Sequence, residues 1–161
     1  MNEWSPPSAA ERLAIMRSAK SVAIVGMSAN PNRASYFVAT YLLAETKYDV
    51  YFVNPMITEV LDRPVVGSLD ALDIVPDIVD VFRRPEDLMA VADEAIAVGA
   101  KTLWLQLGLA ETGVAKRTHD AGLNVVMDRC LKIEHARFNG GLHLAGFDTG
   151  VISSRRAGSF D

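Results

Sequence analysis

Short, almost continuous apolar runs recur along the chain at 22–25, 50–53, 78–82, 103–107 and 125–127. Each is too short for an ordinary helix and too uniformly apolar for a strand with one wet face. Each therefore reads as a strand of a parallel sheet covered on both sides. The segments between them have helical character. Leu88, Val91, Ala92, Ala95 and Ile96 fall at i, i+3, i+4, i+7 and i+8 and form one apolar stripe. Pro85 suits a first helical position, Glu86 and Asp87 complement the positive helix end, and Gly99 supplies a left-handed stop. The segment 35–45 is apolar on most sides, as in a helix pressed onto a sheet, and 111–120 reads as a more exposed helix halted at Gly122. Ser8 and Glu11 have capping-box spacing, which predicts a leading helix over 9–19.

With right-handed crossovers, this alternation predicts an α/β fold. The expected sheet is doubly wound, mainly parallel and five-stranded, in the order 3-2-1-4-5, with helices on both faces. In that order the direction of winding reverses between the first and fourth strands, and ligands of such sheets bind there, beyond the strands' carboxyl ends. One domain is expected over 1–137. From 138, where periodicity stops, Gly140, Gly141, Gly146, Gly150 and Gly158 predict an irregular tail running to 161.

Composition narrows the functional classes. With 50% hydrophobic and 22% charged residues the chain can bury a substantial core. A formal net charge of −4 gives no general attraction to nucleic acid or an anionic membrane, so any phosphate must be held by local cations. One cysteine, Cys130, excludes an internal disulfide framework and fits a reducing compartment, so a cytoplasmic location is expected. No apolar run approaches the roughly 18 residues of a membrane helix, and residues 1–7 lack the pattern of a secretory leader.

The chemistry gathers at the strand ends. The first run is followed by Gly26-Met27-Ser28-Ala29-Asn30-Pro31-Asn32-Arg33 and then a helix. Gly26 permits close backbone approach, Ser28 offers a hydroxyl, Arg33 a fork-shaped cation, and the helix start open N–H groups, which together suit an anion. Met27 is counted with them. The second run ends in Asn54-Pro55, a neutral platform on which an adenine could lie, although Asn-Pro is also an ordinary turn. The third ends Phe82-Arg83-Arg84, where an arginine could bind phosphate bidentately or stack on a base, or stand in solvent as a surface charge. The fourth ends Gln106-Leu107-Gly108, placing Gln106 and Gly108 opposite Gly26. Trp104 lies within its run and reads as core.

Other chemistries fit less well. The loop after the first strand holds one of the three glycines of the dinucleotide fingerprint, and Asn54 stands where an NAD-binding domain carries an acidic residue. An NAD(P)-dependent oxidoreductase is therefore the alternative, with Arg33 or Arg83 taking a 2′-phosphate. A third reading is a thiol sensor in which Cys130, flanked by Arg129 and Lys132, forms a mixed disulfide with a coenzyme. His119, His135 and His143 have no metal-like pairing, and no nucleophile elbow, zincin helix or P-loop is present.

The stretches AIVGMSANPNRASYFVATYLL, YFVNP, VDVFRRPED, LWLQLGLA and GLNVVMDRCLKIEHAR, in this order and spacing, resemble the single-domain CoA-binding protein family. These proteins are stand-alone relatives of the amino-terminal domain of the succinyl-CoA synthetase alpha subunit, and the likeness covers about residues 15–137. It implies a Rossmann-like domain that binds coenzyme A. It also implies that Gly26, Ser28 and Arg33 lie near the pyrophosphate, that Asn54, Pro55, Phe82 and Arg83 surround the nucleotide, and that Gln106 and Gly108 lie nearer the pantetheine arm. The synthetase needs a second domain carrying a phosphorylated histidine, for which this chain has no room. The expectation is thus a binder of CoA or a short acyl-CoA rather than an enzyme.

Overall fold

The computed structural model describes residues 3–139. Its first helix, α1 (Ala9–Ser18), opens with the expected capping box: Ser8 Oγ accepts from the Glu11 N–H at 3.1 Å and Glu11 Oε1 from the Ser8 N–H at 2.7 Å. Strand β1 (Ser21–Val25) follows, then α2 (Ala34–Glu45), β2 (Asp49–Val53), β3 (Glu59–Val60), β4 (Arg63–Val66) and β5 (Ile78–Val81). A 3-10 turn at Pro85–Asp87 leads into α3 (Leu88–Val98), and β6 (Thr102–Leu105), α4 (Thr112–Asp120), β7 (Asn124–Val126) and α5 (Leu131–Asn139) complete the described chain.

The seven strands lie in the order β3-β4-β2-β1-β5-β6-β7, and every pairing is parallel except β3 with β4. The Rossmann-like α/β architecture is as expected, but the strand count and the assignment of the order are not. The run at 78–82 is β5 and sits directly beside β1, not beyond β2. Third place is taken instead by β4, so the winding reverses between β1 and β5. The hairpin β3–β4 escapes sequence reading for a physical reason. Its two-residue turn, Leu61-Asp62, adopts left-handed angles at both positions (φ 53° and 61°) without the Asn-Gly or Asp-Gly that announces such turns. Only Val60 and Val65 of its strands are buried, and Pro64 interrupts the second.

Two apolar layers cover the sheet. On one side Ile24, Ile78, Trp104 and Val126 pack with Met16 of α1, Val38 and Leu42 of α2 and Leu131 of α5. On the other, Ala23, Val79, Val81, Leu103 and Leu105 meet α3 and Val114 of α4. The predicted stripe of α3 is realised: Leu88, Val91, Ala92 and Ala95 are all buried, and Gly99 ends the helix at φ 82°. Helix α5 was not part of the expected alternation. Its buried positions are Leu131, Glu134 and Ala136, and a glutamate on the inner face hides the apolar periodicity. Because α5 includes Phe138 and Asn139, no irregular segment begins at 138. The remainder of the expected tail, with Arg155 and Arg156, lies outside the described residues, as does His143.

That glutamate fastens α5 to α1. Glu134 accepts from Arg12 Nε at 2.8 Å, with both side chains almost wholly buried, and Arg137 and Arg129 approach its other oxygen at 3.2 and 3.6 Å. Asp80 is the opposite case. It lies at the centre of β5 with no exposed surface, and neither carboxyl oxygen has a hydrogen-bond partner. Burial drives its pKa well above the ordinary carboxylate value.

Glu134→Ala strands Arg12 without its anion and should destabilise the protein by about 3–5 kcal/mol in denaturant titration. Arg12→Ala should cost less, because Glu134 keeps two arginine partners. For Asp80 the folded state favours the neutral acid, so the cost of burying it is small below the unfolded-state pKa of about 3.9 and grows as pH rises above it. Relative to Asp80→Asn, the wild type should lose stability by up to about 1.4 kcal/mol per pH unit above about pH 4, until the buried carboxyl itself ionises. Melting curves of both proteins between acid and alkaline pH check the sign.

Candidate functional site

Parallel βαβ winding carries the chain away from β1 and β5 on opposite sides of the sheet, and a crevice opens between their carboxyl ends. Gly26 forms its floor. Its φ is 89°, and a Cβ there would stand 2.7 Å from the Phe82 carbonyl oxygen and 3.0 Å from Arg83 Cδ, so no side chain fits. The strands are laced at this point: the Gly26 N–H donates to Val53 O at 2.9 Å and the Phe82 N–H to Val25 O at 2.8 Å.

The loop above Gly26 is held by its own polar groups. Ser35 Oγ accepts from the Ser28 N–H at 3.0 Å, Ser28 Oγ from the Asn30 N–H at 3.0 Å, and Asn30 Oδ1 from the Asn32 N–H at 2.9 Å. These bonds deliver Arg33 to the N-cap of α2 in an extended conformation. Its side chain makes no capping bond, and the first turn of α2 carries no acid. The N–H groups of Ala34 and Ser35 accordingly take no acceptor among the described residues. An open helix start beside a guanidinium is a strong local attraction for an anion.

A cavity of about 220 Å³ occupies this corner, and Gly26, Ser28, Arg33, Phe82, Arg83 and Gln106 all line it. Arg83 is half-buried and leans on Asp87 at 3.2 Å. Burial nudges the Asp87 carboxyl upward, but the hydrogen bond from Arg84 and the charges of Arg83 and Arg84 outweigh it and hold the group below its ordinary value. An ionised Asp87 thus fixes the root of the arginine pair. Gln106 is almost fully buried, and its Oε1 has no partner.

The other candidate residues do not line the cavity. Met27 is fully buried in the core. Asn54 serves as a backbone staple, its Nδ2 donating to Met27 O at 2.7 Å while its Oδ1 accepts from the Met56 N–H at 2.8 Å. Pro55 is exposed at the end of β2. Arg84 points into solvent and pairs with Asp87 and Glu86. Gly108 is not opposite Gly26: it has φ 94° and its N–H donates to Asp128 Oδ1 at 2.7 Å, and the residues facing Gly26 are Phe82 and Arg83, just past the neighbouring β5. Ala34, Ser35, Leu107 and Leu109 line the cavity without having been foreseen. Leu107 ends the apolar run at 103–107 and Leu109 follows it, and both lie just past β6, where strand-end leucines look like core.

Cys130 is half-buried against the core and does not line the cavity. Trp104 is core, as expected, and its indole donates to Arg129 O at 2.8 Å. No group of three or more His, Cys, Asp or Glu is placed to hold a metal among the described residues. No helix among them is long and apolar enough to cross a membrane. A larger hollow of about 760 Å³ lies elsewhere, between the amino-terminal segment, α1 and β7. Among the described residues its charged lining includes the carboxylates of Glu3 and Glu11 and no lysine or arginine, the wrong chemistry for a phosphate.

The family model described as CoA binding domain matches residues 20–136. The chain is 38% identical over 130 residues to the uncharacterized protein YneT of Bacillus subtilis (strain 168), covering 81% of this chain and 96% of that one. Among solved structures, a hypothetical protein from Pyrococcus horikoshii OT3 is 35% identical with a TM-score of 0.80, over 87% of this chain and all (100%) of that chain. A Thermus thermophilus protein is 36% identical with a TM-score of 0.76, over 81% of this chain and 98% of its own. The matched stretch runs from β1 to α5 and contains every residue of the crevice, and on this evidence the chain belongs to the CoA binding domain family.

Proposed function

We propose that the crevice between β1 and β5 reversibly binds coenzyme A or a short acyl-CoA, and that the protein acts as a binder without catalytic machinery of its own. The observation that carries this reading is the convergence of Gly26, Arg33, Arg83 and the uncapped start of α2 on one cavity. A diphosphate against the Gly26–Ser28 backbone would face two guanidinium groups and two open N–H groups, which suits an anion of that charge and length. The nucleotide end would extend toward Phe82 and the exposed surface of Pro55, and the pantetheine arm toward Gln106 and Leu107. A cavity of 220 Å³ is smaller than coenzyme A, so much of the ligand would lie along the surface.

The oxidoreductase reading draws no support from a specific observation. Asn54, at the position where a ribose-binding carboxylate would stand, has both amide groups committed to backbone. The thiol reading places its chemistry at Cys130, which is not a cavity residue.

Isothermal titration of the protein with CoA should show saturable binding, and no heat of binding at millimolar CoA would reject the reading. Arg33→Ala should weaken the affinity by about 1.5–3 kcal/mol, the range for a hydrogen bond to a charged group, while the melting temperature of the free protein should not fall, because a positive charge is removed from the start of α2. Gly26→Ala should abolish measurable binding and also cost at least about 1 kcal/mol of stability, because alanine is strained at positive φ and its methyl group would meet the Phe82 carbonyl. Wild-type affinity in Gly26→Ala would show that the ligand lies elsewhere.

A further inference from the structure

Among the described residues three buried side-chain atoms lack any hydrogen-bond partner, and they belong to two residues: both carboxyl oxygens of Asp80, and Oε1 of Gln106. Their places in the sheet bring them together. Asp80 is in register with Ile24 on one side and Trp104 on the other, and both of those side chains belong to the layer packed against α2 and α5. Their neighbours Val79, Val81, Leu103 and Leu105 belong to the opposite layer. By alternation Asp80 points into the first layer, and Gln106, two residues after Trp104, points the same way. The ladder continues to that point, since the Gln106 N–H donates to Val81 O at 3.3 Å. Asp80 and Gln106 are thus diagonal neighbours on one face, about 8 Å apart at Cα from a strand spacing of about 4.8 Å and a two-residue rise of about 6.6 Å, within joint reach of the two side chains.

Two acceptors cannot bond each other, but a protonated carboxyl can donate to an amide oxygen. We propose that Asp80 is a positioning residue for the candidate site: carrying its proton, it donates to Gln106 Oε1 and so turns the Gln106 amide nitrogen toward the cavity, where it donates to a carbonyl oxygen of the ligand. Gln106 lines that cavity while its Oε1 is sealed from solvent, so the nitrogen is the end a ligand can use. One proton on Asp80 thereby satisfies the orphaned amide oxygen, which would otherwise be a costly buried group. Burial raises the pKa of Asp80 and so favours its protonated form.

The identity of the ligand rests on the reading above, whereas the link between Asp80 and Gln106 does not. Affinities for CoA and for adenosine 3′,5′-bisphosphate, which lacks the pantetheine arm and its carbonyls, are measured for four proteins: wild type, Asp80→Leu, Asp80→Asn and Gln106→Met. Asp80→Leu and Gln106→Met should each weaken CoA by roughly three- to tenfold, the value of one hydrogen bond, and leave the bisphosphate within about twofold. Asp80→Asn, whose amide can also donate to Oε1, should retain wild-type affinity for both. Equal loss of both ligands in Asp80→Leu, or no loss of either, overturns the proposal. Should Asp80→Leu not fold, the carbon-13 shift of the Asp80 carboxyl in the wild type decides: a protonated acid at neutral pH supports the proposal and an ionised one overturns it. Failure of the wild type to bind CoA would reject the ligand and leave the carboxyl measurement to judge the pair.

Discussion

Gly26 and Phe82 pass so closely that a single methyl group between them would overlap the Phe82 carbonyl. This approach is where β1 and β5 part company. The chain leaves β1 toward α2 on one side of the sheet and leaves β5 toward α3 on the other, so the space above their joined ends is bounded by two helix starts and covered by neither. The crevice is therefore a consequence of topology, and its depth is set by the absence of one side chain. Everything that lines it is placed relative to that contact: Arg83 lies over Gly26, Ser28 is tied back to α2 through Ser35, and Gln106 continues the ladder from Val81.

The sheet's central strands, the stripe of α3 and the cap of α1 were legible because in each the local signal and the tertiary role coincide. Uniformly apolar runs are what a doubly covered strand requires, and Ser8, Glu11 and Gly99 do in the structure what their chemistry allows alone. What escaped is equally physical. The turn Leu61-Asp62 has the backbone of a tight hairpin without its usual residues, and without that hairpin the winding order was anchored on the wrong strand. Helix α5 hid behind Glu134, whose burial makes sense only once Arg12, more than a hundred residues earlier, is seen beside it. At the crevice, six candidate residues line one cavity and five do not. Among the five, Asn54 and Gly108 are strand-end residues whose polar groups are spent on fixing loops, and composition alone cannot separate a residue that shapes a loop from one that lines a cavity.

Buried polar groups divide in the same way. The Arg12–Glu134 pair is complete, surrounded by further arginines, and joins two helices remote in sequence. Asp80 and Gln106 are incomplete and lie on the layer of the sheet that runs up to the crevice. Among the described residues the other buried side-chain polar atoms are satisfied, and the cost of leaving one unpaired is confined to these two side chains. Strain of that kind is expected near sites that wait for a ligand rather than in the structural core.

The helix starts sharpen the point. In parallel winding, α2, α3 and α4 all begin at the carboxyl edge of the sheet, so their positive ends face the side on which a ligand would bind. Two of them carry acids there: Glu111 caps α4 by accepting from the Gly113 N–H, and Asp87 with Glu86 stands before α3. An acid at a helix start neutralises the site that an external anion would use. Helix α2 has none, and Arg33 at its N-cap adds positive charge where a carboxylate would have been stabilising. That choice is unfavourable for the helix in isolation, by roughly the 0.3–1 kcal/mol that a charge near a helix end is worth. It becomes favourable when a phosphate supplies the missing negative charge, which is why the uncapped start of α2, rather than the number of arginines in the neighbourhood, supports placing the diphosphate there.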